Sequence, residues 1–224
     1  MRIPFTKYGM PQVFLLPLAI LVLMGIILWA GVALPSMGIA MTIEFLLAIV
    51  LVWALSFFRD PVRNIPTAGG ILLSPADGTI TDIEEFDDEW VGKSVRVGIF
   101  LSIFNVHINR VPCGVRVEGT AYKEGFYTNA MNPESGKVNE SNRIEMVRLV
   151  GGEKIAVRQI SGAIARRIVC KLEKGQQVVA GEQFGMLKFG SRTELIFGAE
   201  SFSRQVEIGD KVKAGETIFA RLRS

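Results

Sequence analysis

Residues 187–194 read LKFGSRTE, and Gly190–Ser191 is the only Gly-Ser step in the 224-residue chain. A serine hydroxyl is a weak nucleophile that needs a neighbouring base. The chain holds a single histidine, His107, within LSIFNVHINRVP (101–112), and imidazole is the side chain that normally titrates near neutrality. The polar set Asn105, His107, Asn109 and Arg110 follows an apolar strand, where burying it without a task is costly. Asp77, in the turn SPADGT (74–79), adds an acid that a rigid turn can hold against a histidine. Asp77, His107 and Ser191 are therefore the parts of an activated hydroxyl: an acid orients a base, which deprotonates a nucleophile. Spacing does not make them meet. A plain turn at Asp77, a structural histidine and a surface Gly-Ser turn stay open as readings.

Such chemistry needs a frame, and the chain divides into two kinds of sequence. Residues 13–34 carry no charge, and 39–58 form a second apolar run with Glu44 near its start. At about 1.5 Å per residue each run is long enough for a hydrocarbon layer of roughly 30 Å. The uncharged link PSMG (35–38) is a poor cleavage site, which favours an uncleaved transmembrane hairpin over a signal peptide. Arg2 and Lys7 precede the first run and Arg59 and Arg63 follow the second. The positive-inside bias then places both flanks, and the catalytic domain, on the cytoplasmic side of the cell membrane.

After the Pro-punctuated linker FRDPVRNIP (58–66), period-two patterns dominate. They predict strands at 71–74, 78–84, 94–104, 114–122, 142–150 and 153–161, a short helix at 162–172, and a long polar loop at 123–141. The expected division is a membrane anchor over 1–58 and a β-rich domain over 59–224. An internal echo, G-x-x-V-x-A-G-E, recurs at 175–182 and 209–216. It is similar to the hammerhead hairpins of biotinyl and lipoyl carriers, which implies a mainly β (α+β) barrel-sandwich-hybrid fold rather than a function. The 25 basic and 22 acidic residues nearly balance, against nucleic-acid binding. One histidine and two distant cysteines, Cys113 and Cys170, argue against a metal site and read as reduced core thiols.

Taken together, FRDPVRNIP, SPADG, FLSIFNVHINRVP and the block 157–192 from VRQISG to FGSR resemble the phosphatidylserine decarboxylases, in particular the short prokaryotic forms. The resemblance runs from about residue 58 to the C-terminus. It departs at RTELIFG after the serine, where an Arg-Val-Asp type of strand is expected, and in the 123–141 loop. It implies a proenzyme that cuts itself at Gly190–Ser191 into a β chain (1–190) and an α chain (191–224). Ser191 then acts as nucleophile, His107 as base and Asp77 as orienter, and Ser191 becomes a covalent pyruvoyl group that forms a Schiff base with the substrate amine. The implied reaction converts phosphatidylserine to phosphatidylethanolamine in phospholipid biosynthesis. An ether lipid with a serine headgroup needs the same chemistry.

The implied partners are the serine phospholipid, the bilayer and the two chains of one precursor, with a homo-oligomer allowed and no nucleic acid. Arg166 and Arg167 have the geometry for a lipid phosphate, and Asn105 and Asn109 are candidates for orienting His107 or binding substrate. Two other readings compete. One is a membrane-anchored lipoyl or biotinyl carrier with Lys188 as acceptor, although acceptor flanks are missing. The other is an Asp-His-Ser hydrolase, although the G-x-S-x-G elbow is missing.

Overall fold

The computed structural model describes residues 5–33, 37–132, 134–163, 167–188 and 191–223. The chain forms two compact units, Met1–Pro61 and Val62–Ser224. In the first, helices α1 (Gln12–Ala33) and α2 (Met37–Phe57) are each long and apolar enough to cross a membrane. They pack through small residues: a Cβ on Gly31 would overlap Ala40, the close approach that small side chains permit between apolar helices.

The second unit is mainly β. Its strands are β1 (Ile71–Leu73), β2 (Gly78–Asp88), β3 (Gly92–Leu101), β4 (Ile108–Arg110), β5 (Val115–Lys123), β6 (Ser141–Arg148) and β7 (Lys154–Ile160). There follow β8 (Ile168–Cys170), β9 (Gln177–Val178), β10 (Gln183–Leu187), β11 (Ser191–Gly198), β12 (Phe202–Arg204), β13 (Lys211–Val212) and β14 (Ile218–Leu222). Eight form one curled sheet in the order β13-β2-β3-β11-β7-β6-β5-β9. Two three-stranded sheets, β4-β10-β8 and β1-β14-β12, close over it. Val97, Ile99 and Leu101 of β3, Leu195 and Phe197 of β11, and Ile155 and Val157 of β7 turn into one core, as period-two alternation requires.

The sequence echo is a structural duplication. Gly175 N–H bonds the Val117 carbonyl and Gly209 N–H the Ile80 carbonyl; Gly181 N–H bonds Val111 and Gly215 N–H bonds Ser74. Each bond thus recurs with its donor 34 and its acceptor 37 residues apart. Gly181 and Gly215 both sit at φ +75°, where a side chain is strained, and a Cβ on either would strike Ile65. The duplication breaks at Asp77: its counterpart, by the same offset of acceptors, is Gly114.

The expected helix over 162–172 is corrected. Residues 168–170 are the strand β8, pairing with 185–187 of β10, while 164–166 lie outside the described residues. Local helix propensity in AIARRIV yields to a sheet edge that offers ladder partners. The 123–141 segment contains a short helix, α3 (Ser135–Val138). It lies over the outer face of β11, where a Cβ on Gly136 would come 3.0 Å from Glu194 Oε1.

Candidate active site

Strand β3 ends at Leu101 because the chain turns sharply there. Asn105 N–H bonds the Ser102 carbonyl at 2.9 Å, and the Asn105 side-chain oxygen accepts from Ser102 N–H and Oγ–H at 2.9 and 2.8 Å. This closed turn delivers His107, fully buried, to the start of β4. The His107 carbonyl accepts from Leu187 N–H, fixing it beside the strand that leads to Ser191. Its Nδ1 lies 2.9 Å from the Asn105 carbonyl oxygen. A carbonyl can only accept, so Nδ1 carries the proton and Nε2 is the basic nitrogen of the neutral ring.

Ser191 is the first residue of β11, opposite Leu101 in the register with β3. It is buried, and its Oγ has no hydrogen-bond partner among the described residues. An unpaired buried hydroxyl is a cost that a fold rarely leaves standing. Two residues further along, Thr193 Oγ1 accepts from Asn109 Nδ2 at 3.1 Å. Residues two apart on an extended strand share a face. The Asn109–Thr193 bond therefore ties together the faces that carry His107 and Ser191, one pleat beyond them.

That bond ends a chain of buried amides. Asn142 Nδ2 donates to Gln159 Oε1 at 3.1 Å, and Gln159 Nε2 donates to Asn109 Oδ1 at 2.8 Å. All donors point toward β11, so the Thr193 hydroxyl proton remains free to donate onward. Of these only Asn109 was a candidate from the sequence; Asn142, Gln159 and Thr193 escaped it because polar side chains inside strands look like solvent-facing positions. The sign was present in NVHINR, where Asn109 repeats the face of His107.

The Asp77 expectation needs correcting. Its carboxylate does not bond His107. It accepts from Arg63 Nη2 at 2.9 and 2.7 Å and from Ala214 N–H at 2.8 Å. Among the described residues the bond to the imidazole is that of Nδ1 to the Asn105 carbonyl. Asp77 instead braces the turn at Pro75, whose carbonyl accepts from Arg110 N–H at 2.9 Å and Asn109 Nδ2 at 3.4 Å. Arg63 lies in the FRDPVRNIP linker, where the sequence marked it as a flanking positive charge and not as the partner of Asp77.

The other expected residues separate. Asn105 acts through its carbonyl, and its side chain holds the turn. Asn109 is fully buried, which suits positioning and not substrate contact. Arg167 is exposed. Gly190 and Arg166 lie outside the described residues. Lys188 is only 5 % exposed, and burial, with the Arg167 charge beside it, lowers its pKa. A carrier acceptor must be presented to a modifying enzyme, so this lysine does not suit that role. The thiols are inert: burial pushes Cys113 up to about 12 and raises Cys170.

The sequence model for phosphatidylserine decarboxylase matches residues 50–220. The chain belongs to the phosphatidylserine decarboxylase family. A "Phosphatidylserine decarboxylase proenzyme" of Rhodopirellula baltica is 41% identical over 223 residues, covering 98% of this chain and 88% of that protein. Proteins of the same name from Chlorobium phaeovibrioides (40% over 219 residues, 97% of this chain and 96% of that protein) and Wolbachia pipientis (43% over 172 residues, 74% of each) are also similar. In this decarboxylase family member the matched region takes in Asp77, His107, Gly190 and Ser191.

Proposed function

We propose that the chain is a proenzyme that cuts itself at Gly190–Ser191 and then decarboxylates phosphatidylserine to phosphatidylethanolamine. The observation that carries this reading is the buried Ser191 hydroxyl, unpartnered among the described residues, on a face bonded to that of a histidine whose basic nitrogen is Nε2. His107 takes the Ser191 proton as Oγ attacks the Gly190 carbonyl, and the peptide becomes an ester as its nitrogen is released. Loss of the Ser191 α-proton then expels Gly190 as a carboxylate. Water displaces the nitrogen as ammonia, leaving the former serine as a pyruvoyl cap on 191–224.

The residues present fit such a group. Ser191 supplies its carbons, no other buried polar group competes for its hydroxyl among the described residues, and strand β11 lies between β3 and β7. Those two ladders hold the 191–224 chain in place after the cut. A pyruvoyl group supplies the electron sink that loss of CO₂ from an amino acid requires. His107, held through Nδ1 by the Asn105 carbonyl, has a basic Nε2 that takes up a proton and can return it to carbon. Arg167, with Arg166 before it, brings positive charge to the segment beside Lys188 and suits an anionic substrate. The two apolar helices anchor the enzyme at the bilayer, with the basic residues flanking them on the cytoplasmic side.

Intact mass under denaturing conditions tests the reading. Two chains are expected, the smaller one blocked and reducible by borohydride. One uncut chain in active-site-intact protein overturns it, and an adduct on Lys188 would revive the carrier.

A further inference from the structure

Strands β3, β11, β7, β6 and β5 end together at the level of Ser191. Leu101 pairs with Ser191, Arg192 with Ile160, Ile160 with Ser141, and Ser141 with Lys123. The connections that leave this end hold large apolar side chains in solvent. Phe104 is 69% exposed and Phe126 71%, and Tyr127, Met131 and Val138 are exposed as well. They share one rim. Phe126 N–H bonds the Val138 carbonyl at 2.8 Å, and Met131 lines one cavity with Ser102 and Asn105, the ends of the turn that carries Phe104. An apolar patch left on a folded surface marks contact with a partner or with lipid.

Two observations select lipid. The first is where the chain enters the β unit. Arg63 bonds Asp77 at 2.7 Å, and Asp77 immediately precedes β2, whose Thr79 lies opposite Phe100 at this same end. Only residues 58–62 separate Arg63 from the last residue of α2, Phe57, and that length of chain reaches at most about 20 Å. The eleven residues of β2 carry the opposite end of the sheet about 35 Å further on. The second observation is charge. At the opposite end the connections 89–91, 149–153 and 199–201 hold Glu89, Glu153 and Glu200 and no cation. Val150 is exposed there, but among carboxylates that an anionic membrane repels. At the Ser191 end Lys123, Lys137 and Arg167 are exposed beside Glu124 and Glu134. Lysine and arginine near an anionic leaflet are attracted to it, and aromatic side chains settle at its headgroup level.

We propose that the rim around Ser191 docks on an anionic bilayer, with Phe104 and Phe126 entering the headgroup layer, so that the end of the sheet carrying Ser191 faces the lipid. The purpose of such docking rests on the decarboxylase reading, whereas the docking itself is measured without turnover.

For the test, full-length protein is reconstituted in vesicles of phosphatidylcholine and phosphatidylglycerol. Phe104→Cys, Phe126→Cys and, for the opposite end, Val150→Cys each carry one environment-sensitive fluorophore, and wild type treated alike corrects for Cys113 and Cys170. Blue-shifted emission, quenched by a lipid with a nitroxide beside its headgroup, is expected at both phenylalanine positions and not at Val150→Cys. Quenching at neither rim position overturns the proposal, as does equal or stronger quenching at Val150→Cys. A blue shift that the nitroxide lipid leaves unquenched also overturns it, because a second copy of the chain then covers the rim. The two rim variants report separately, so one that fails to fold leaves the other to decide. In mixed micelles, Phe126→Ser/Val138→Ser is expected to cut normally, keep kcat within about twofold and raise KM for phosphatidylserine roughly tenfold, the size of one apolar side chain withdrawn from lipid. An unchanged KM in the cut variant counts against the docking. Intact mass and CO₂ release of the wild type judge the decarboxylase reading apart: an uncut, inactive wild type with quenched rim labels sinks that reading and leaves the docking standing.

Discussion

Replacing Asp77 by asparagine separates two ways in which an acid can serve a histidine. The substitution keeps the shape of the side chain and an oxygen for the Ala214 amide, but removes the charge opposite Arg63. The Arg63 and Asp77 side chains are 6% and 12% exposed and meet at 2.7 Å. Removing one partner of a buried pair costs about 3–5 kcal/mol; with Glu216 3.7 Å from Arg63 as partial compensation, about 2–3 kcal/mol is expected. For a unit of this size that is a fall in Tm of about 5–10 °C.

The effect on self-cleavage follows from the bonds of the turn. Among the described bonds, Asp77 reaches His107 through Pro75 and its bonds to Arg110 and Asn109. Asp77→Asn should slow cleavage about tenfold, far less than the roughly 10⁴-fold loss when an acid bonded directly to a catalytic histidine is neutralised. Arg63→Gln should do the same, and the double variant should be no slower than the worse single one, because both break one interaction. A time course of intact mass after synthesis reads the rate, and thermal unfolding reads the stability. If Asp77→Asn abolishes cleavage while Arg63→Gln loses equal stability and cuts normally, the carboxylate acts on His107 directly and the bracing argument is wrong.

Further outcomes can be checked with the same tools. Ser191→Ala and His107→Ala should each leave one full-length, folded chain; normal cutting of His107→Ala would show that another group is the base. Gly98→Ala puts a methyl group onto the Arg192 guanidinium and 2.6 Å from Asp82 Oδ1. Arg192 is fully buried between Asp82 and Glu194, so a loss of about 3–5 kcal/mol and impaired cutting are expected. Cys113, its thiol pushed up to about 12, should resist thiol reagents until the protein is unfolded. Burial works against ionisation of Asp88, but Arg143 and the amides of Val91 and Trp90 outweigh it and hold its pKa below the ordinary 3.8. Its contribution to stability is thus present above about pH 4 and lost as pH falls through the lowered value. Asp88→Asn should lower Tm at neutral pH and lessen the remaining fall in acid.

Much of the fold was legible because burial writes itself into strand periodicity. The six expected strands all occur, and the G-x-x-V-x-A-G-E echo marks a duplication whose hydrogen bonds repeat. The expected helix at 162–172 failed because the ladder partner of residues 168–170 is β10, a contact that no local window contains. At the site, Ser191 and His107 stood out by type and scarcity. Arg63, Gln159 and Thr193 did not, since an arginine in a linker or a glutamine in a strand is unremarkable until its partner is known.

By itself, then, the sequence determined the parts: two apolar runs of membrane-spanning length, a β-rich remainder, one Gly-Ser step and one histidine. Those follow from composition and local pattern. Only the tertiary structure decided what orients the histidine, because a hydrogen bond is set by direction and distance. It gave that task to the Asn105 carbonyl and spent the Asp77 charge on Arg63. It also left the Ser191 hydroxyl buried without a partner among the described residues, a property that belongs to the surroundings of a residue and never to its name.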